Sequence, residues 1–339
     1  MLNYSETNFI YLLPSKNPAV KPVRLLIFVV IFFAVRLTNL TLLPPYIDEL
    51  LHISRAFTLL HQRQLFISTE GGKFLQIWLI APALALSGDP LWTARLVTIL
   101  IGLLSALGCY LLGKALFNRE TGLLAAWLYL LVPYALFLDR LVLNDSLLAM
   151  LGVYILLFSL KLVGQASLGL ALGLGLSLGL TVLTKLNGSI WWVIPVGVLL
   201  ARLSRLPKSW VYFGGAYLLA FVVVSPLFSL LPEQLAAPAE KTWLLAAPLP
   251  ASLTAMWWGN IQQIWLYYQT YLTWPIGVLI LLGVILSLYR RPQSGLLLLG
   301  GAFLPRIFAS KSSKSACPAT CAMTRFLTPF SIATSTATT

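Results

Sequence analysis

Apolar runs close to the length of a bilayer span recur through this 339-residue chain and leave it few folds to choose from. They lie at roughly 23–42, 95–117, 122–139, 146–163, 167–184, 188–203, 209–230, 268–289 and 293–308. A spanning α-helix needs ~20 predominantly apolar residues. Backbone polar groups in lipid must be satisfied within the segment, which selects helices. The expected fold is therefore an all-α polytopic membrane protein of about nine transmembrane helices. With 59% hydrophobic and 10% charged residues, the composition excludes an ordinary soluble domain. The first run contains Arg36 and leads into "LTLLPPY" with no small-residue cleavage site, so it reads as an uncleaved span.

The formal charge of +13 does not point to nucleic acid. Lysines and arginines gather in short segments between apolar runs, as the positive-inside rule expects. No nucleic-acid-binding motif is visible. Cys109, Cys317 and Cys321 form no disulfide framework. Cys317 and Cys321 have a metal-like spacing but lack a second pair or a histidine.

Phe74 to Leu86 decides the topology. It is short for a span and Pro82 interrupts it, so it reads as an interfacial helix within a first outer loop over 43–94. That parity puts Lys16, Lys21, Arg24, the Lys114/Arg119 turn, Lys161, the Arg202/Arg205/Lys208 loop and Arg290/Arg291 together on the cytoplasmic side. The 43–73 segment, the Asp139–Asp145 turn, Lys185 and the 231–265 loop then face outward.

The outer loop opens on "LPPYIDELLHISRAF", residues 43–57. Pro44 and Pro45 end the first span. Asp48 and Glu49 fall at the start of a new helix, where negative charge is favoured. Asp48, His52 and Arg55 recur at helical spacing and share one face; Leu50, Ile53, Phe57 and Leu60 form another. An amphipathic helix lying on the membrane fits. Helix capping alone accounts for Glu49 about as well as chemistry does. Arg36 must reach an interface or face the bundle interior. The glycine-rich "LGLALGLGLSLGL" reads as close helix packing, since it has small-residue spacing and no P-loop lysine.

"YIDELLH" resembles the Asp-Glu motif of integral-membrane glycosyltransferases of the C superfamily. The similarity is to the branch holding protein O-mannosyltransferases and lipid A aminoarabinose transferases. "GDPLWTARLVTILIGLLSALGCYLLGKALFNRETGLLAAWLYLLVPYALFLDRLVLNDSLLAML" resembles the branch's middle pattern, with Arg140 five residues before Asp145, and "GLTVLTKLNGSI" its lysine element. Three departures stand out. His52 replaces a frequent tyrosine, "GGKFLQ" keeps Lys73 without the usual prolines, and Leu186-Asn187 replaces a frequent glycine.

The resemblance implies that a sugar leaves a polyprenyl phosphate for an acceptor hydroxyl, usually with inversion. Asp48, Glu49 and Asp145 are then the catalytic candidates, with Asp48 as base. Lys73, Arg140, Lys185 and Arg95 are candidates for the donor phosphate. Arg95 can equally snorkel to the interface. His52, Arg55, Glu70, Trp257 and Trp258 are candidates to line the acceptor or sugar groove, while Trp265 onward reads as an interfacial aromatic belt. Asp145 can orient a cation, contact the sugar or, with Asp48, help hold a divalent metal. The implied partners are a polyprenyl-phosphate-linked sugar, a glycan, lipid or protein acceptor, and membrane lipids. The implied location is the bacterial inner membrane, with the site facing outside. Residues 1–308 form the transferase-like domain. The Ser-, Ala- and Thr-rich tail over 309–339 reads as truncated or frame-shifted. Two other classes stay open: a non-catalytic glycan- or lipid-binding relative or inactive fragment, and a transporter. A transporter would favour midplane charges and repeated halves, neither of which is visible here.

Overall fold

The computed structural model describes residues 22–65, 73–86, 88–200, 207–235 and 274–290, with Trp258, Ile261, Gln262, Leu266 and Gly295 as single positions. The described residues form helices and no strand. In chain order these are α1 (Pro22–Leu37), α2 (Ile47–Gln62), α3 (Phe74–Leu84), α4 (Pro90–Leu116), α5 (Arg119–Leu131), α6 (Pro133–Asp139), α7 (Asn144–Gly164) and α8 (Leu168–Thr184). A 3₁₀ turn (Leu186–Trp192), α9 (Val193–Leu200), α10 (Pro207–Leu235) and α11 (Trp274–Arg290) complete the set.

Local chemistry starts several of these helices. Asp89 accepts from the Leu91 and Trp92 backbone N–H groups, with Pro90 at the first helical position of α4. Asn118 caps α5 through Thr121, and Ser167 caps α8 through Leu170. Pro133 cannot donate a helical hydrogen bond, and α6 leaves α5 at a bend of 68°.

Helix α4 runs through the middle of the bundle. Its Ile99 and Ala106 pack with Phe28 and Phe32 of α1 and Ala126 and Leu130 of α5. Its Ala94 packs with Ile53 of α2 and Ile77 and Ile80 of α3. On the far side, α7, α8, α9 and α10 share a second apolar core around Ile155, Leu174, Val198 and Phe213. Close packing of α8 on α10 depends on glycine. A Cβ on Gly175 would fall 2.6 Å from the Ala216 carbonyl, and one on Gly179 would fall 2.6 Å from Val223.

Among the described residues three helices are long and apolar enough to cross a bilayer: Pro90–Leu116, Asn144–Gly164 and Ser209–Phe228. The bent α5–α6 pair makes up to four. The nine expected spans are thus matched only in part among the described residues. Helix α3 has 11 residues. At 1.5 Å per residue that is about 16 Å, roughly half the ~30 Å hydrocarbon thickness. Large apolar side chains point outward along the bundle, among them Leu100, Leu104, Leu218 and Phe221. Lipid would cover such a surface; water would not. The 309–339 tail lies outside the described residues.

Candidate active site

Four chain segments meet at one end of the bundle. These are the start of α2, the start of α4, the α6–α7 turn and the end of α1. Glu49 ties them together. Its Oε2 accepts from the Tyr46 backbone N–H at 2.8 Å, closing the first turn of α2. Its Oε1 accepts from the Val142 backbone N–H at 2.9 Å. Both oxygens also accept from Arg95, at 2.9 Å from Nε and 2.7 Å from Nη2. Arg95 Nη1 in turn donates to the carbonyls of Leu40 and Leu43, at 2.7 and 3.0 Å. Neither charged side chain is exposed. Arg95 therefore neither snorkels nor offers itself to a phosphate here, because its donors already hold the chain between α1 and α2. Glu49 likewise has no oxygen left for a reactant.

A second buried pair locks the same end. Arg36 donates to Asp139 Oδ2 from Nε and Nη2, at 3.0 and 2.9 Å. Its guanidinium carbon lies 3.8 Å from the Phe32 ring centroid. Tyr129 and Ser146 also donate to Asp139. Arg36 thus takes the interior alternative expected of it. Asp139 was not singled out by sequence as a site residue. A buried Arg36 calls for a buried acid, but nothing in the sequence says which one.

Asp48 contrasts with its neighbour. It is half-exposed. Among the described residues no hydrogen bond or ion pair holds it. One turn on, His52 is 1% exposed. Its Nε2 lies 3.4 Å from Nδ2 of Asn144, and its Nδ1 has no protein partner. The expected polar face of α2 thus points inward at His52, while Ile47, Leu50 and Leu51 point out. Burial pushes His52 down to about 4, and the positive charges of Lys73 and Arg55 act the same way against Asp48 and Glu49. At neutral pH the imidazole is uncharged.

The remaining cations reach the same end from other helices. Lys73 is half-buried where α3 begins. The next residues, Phe74 and Leu75, pack in one cluster with Leu147 of α7 and Val182 and Leu183 of α8. Asp145 and Lys185 lie two residues from that cluster, and their charged atoms are 3.9 Å apart. Arg140 donates from Nη2 to the carbonyls of Thr38 and Asn39, each at 2.8 Å. Asn39 sits at φ 51°, a left-handed conformation that asparagine tolerates. Arg55 is half-buried on α2, and Trp258 is 62% exposed. Glu70 and Trp257 lie outside the described residues. Among the described residues no group of three or more His, Cys, Asp or Glu is placed to hold a metal ion. Asp48 and Asp145 do not make a complete site for the divalent ion expected of them. Asn144 escaped sequence reading, for an amide beside an aspartate carries no signal until its partner is known.

An all-helical, multi-pass membrane protein with acids and cations gathered at one bundle end is the class that these features define. Residues 74–229 match the model of the dolichyl-phosphate-mannose-protein mannosyltransferase family. The fold is similar to the crystal structure of ArnT from Cupriavidus metallidurans in the apo state, with a TM-score of 0.54 and 15% identity. The likeness covers 84% of this chain and 59% of that one. No curated protein matches by sequence. Together the family match and the fold bear out the resemblance to the C-superfamily branch.

Proposed function

We propose that this protein is a glycosyltransferase that moves a sugar from a polyprenyl-phosphate donor to an acceptor hydroxyl, outside the membrane and with inversion. The observation that carries the reading is the contrast between Asp48 and Glu49. One acid is only partly buried and unpaired; the other is fully buried and locked. A free carboxylate beside a rigid anchor is what a general base requires, because the base must be held in place and still reach its substrate.

In this mechanism Asp48 accepts the proton of the acceptor hydroxyl. The oxygen attacks the anomeric carbon on the face opposite the phosphate. The bond from that carbon to the phosphate oxygen breaks, and its electron pair leaves with the polyprenyl phosphate. Lys73 and Lys185 stabilise the charge that develops there. Asp145 orients Lys185. Arg55 contacts sugar or acceptor hydroxyls, and the buried, neutral His52 with Asn144 supports the turn behind it. Glu49 and Arg95 position the Asp48 turn. The pairing of α2 with the α6–α7 turn supports placing Asp48 and Asp145 on one membrane side, and Lys114 and Lys161 in the last turns of α4 and α7 favour the cytoplasm for the opposite end, which leaves the outer side for these acids.

Membranes containing the full chain, given undecaprenyl-phosphate-linked sugars, should release undecaprenyl phosphate in step with sugar transfer. Donor that stays intact across a panel of sugars, with a well-folded protein, contradicts the proposal.

A further inference from the structure

Arg140 stands apart from the other cations at this end. It lines a groove of about 150 Å³ with Leu43, Pro133, Leu136 and Phe137. The groove lies beside the α5–α6 bend and reaches the bundle surface, where Leu43 is 41% and Phe137 51% exposed. Arg140 is the one polar residue in the lining. Two carbonyls hold its Nη2, while its Nε is buried without a partner. Among the described residues no carboxylate pairs with it. The nearby like charge of Arg95 acts on it, but Glu49 is already taken up by Arg95.

The two carbonyls bind this guanidinium without neutralising it, and an anion from outside the protein would supply the missing counter-charge. The anion must come attached to apolar matter, because the rest of the groove is apolar. We propose that the groove holds an anionic phospholipid. Its phosphodiester sits on Nη1 of Arg140, the guanidinium nitrogen that is neither buried nor held by a carbonyl, and an acyl chain lies along Leu43, Pro133, Leu136 and Phe137. A lipid without phosphate would leave the guanidinium unpaired. The proposed donor cations, Lys73 and Lys185, flank α3 and α8 as their N-cap and C-cap residues, whereas this groove is lined by α6, Arg140 just after it and Leu43 between α1 and α2. The inference therefore uses only the multi-pass reading and not the proposed reaction.

The test is native mass spectrometry of the delipidated full chain in detergent, titrated with phosphatidylglycerol. One molecule should bind above the non-specific adducts, and dioleoylglycerol, which lacks the phosphate, should not. Arg140→Gln should weaken binding by about tenfold or more, as expected for loss of a charge-assisted hydrogen bond. Arg140→Lys should retain most of it. Leu136→Trp fills the groove without touching the Arg140 bonds and should weaken binding similarly. Lys185→Gln should bind as wild type does. Equal phosphatidylglycerol binding by Leu136→Trp and wild type overturns the proposal. So does displacement of phosphatidylglycerol by equimolar undecaprenyl phosphate, which would give the groove to a donor lipid. Transfer activity is read in none of these arms, so failure here leaves the proposed reaction standing.

Discussion

Glu49 accepts from both Nε and Nη2 of Arg95, at 2.9 and 2.7 Å, across 46 residues of sequence, and neither side chain is exposed. The pair gives the two acids of the Asp-Glu motif different work. Removing one partner of such a buried pair strands the other charge, at a cost of about 3–5 kcal/mol. Arg95→Met and Glu49→Gln should each lower the thermal midpoint in detergent sharply. The double variant should recover part of the loss, because it leaves no buried charge unpaired. Single variants that melt like wild type would show that the pair is not the anchor described.

Gly102 gives a second test of the same end. A Cβ there would fall on the Asp139 carboxylate. Alanine must push Asp139 away from Arg36, Tyr129 and Ser146. Gly102→Ala should therefore destabilise by roughly 1–3 kcal/mol as an overpacking change, although alanine is the better helix former. A stabilised Gly102→Ala variant would contradict the buried network.

How much of this was legible in advance differs by element. The start of α2, the short α3 and the packing role of the glycines in α8 follow from proline, periodicity and small-residue spacing. The direction of α2 did not. In a water-soluble protein the apolar face of a helix marks the core, but lipid is as apolar as leucine. Leu50 and Leu51 could therefore point out and His52 in, and hydrophobicity alone cannot order them. Asp48, Lys73, Asp145 and Lys185 were reachable by resemblance because each stands in a motif. Asp139 and Asn144 were not, since each has meaning only through Arg36 or His52, 103 and 92 residues away.

His52 makes stability depend on pH in a stated direction. Its folded value is about 4, below its ordinary value of 6.5, with burial as the main cause. Between these values the unfolded chain binds the proton and the folded one does not, so stability rises with pH. The contribution is complete above about pH 6.5 and is lost as pH falls toward 4. It is worth about 3 kcal/mol at most, at 1.36 kcal/mol per unit. His52→Gln should flatten the thermal midpoint over that window. A His52→Gln curve as steep as wild type would place the dependence elsewhere.

Sidedness can be read by labelling. In a variant with Cys109, Cys317 and Cys321 replaced, single cysteines at the exposed positions Ser54, Asn187 and Asn118 report on the two bundle ends. An impermeant maleimide added to intact cells should label Ser54→Cys and Asn187→Cys, while Asn118→Cys should react only after permeabilisation. The reverse pattern would put the site on the cytoplasmic side.

The central claim is that Asp48 takes the proton of the acceptor. Asparagine keeps the size of the side chain and caps a helix as well as aspartate does. Asp48→Asn should therefore fold and melt like wild type, and no buried pair is broken by it. The decisive measurement is the turnover of purified Asp48→Asn with an undecaprenyl-phosphate-linked sugar that wild type uses, taken beside its thermal midpoint. The account predicts an unchanged midpoint and a turnover lower by ~10²-fold or more. A near-normal turnover in the folded variant would contradict it.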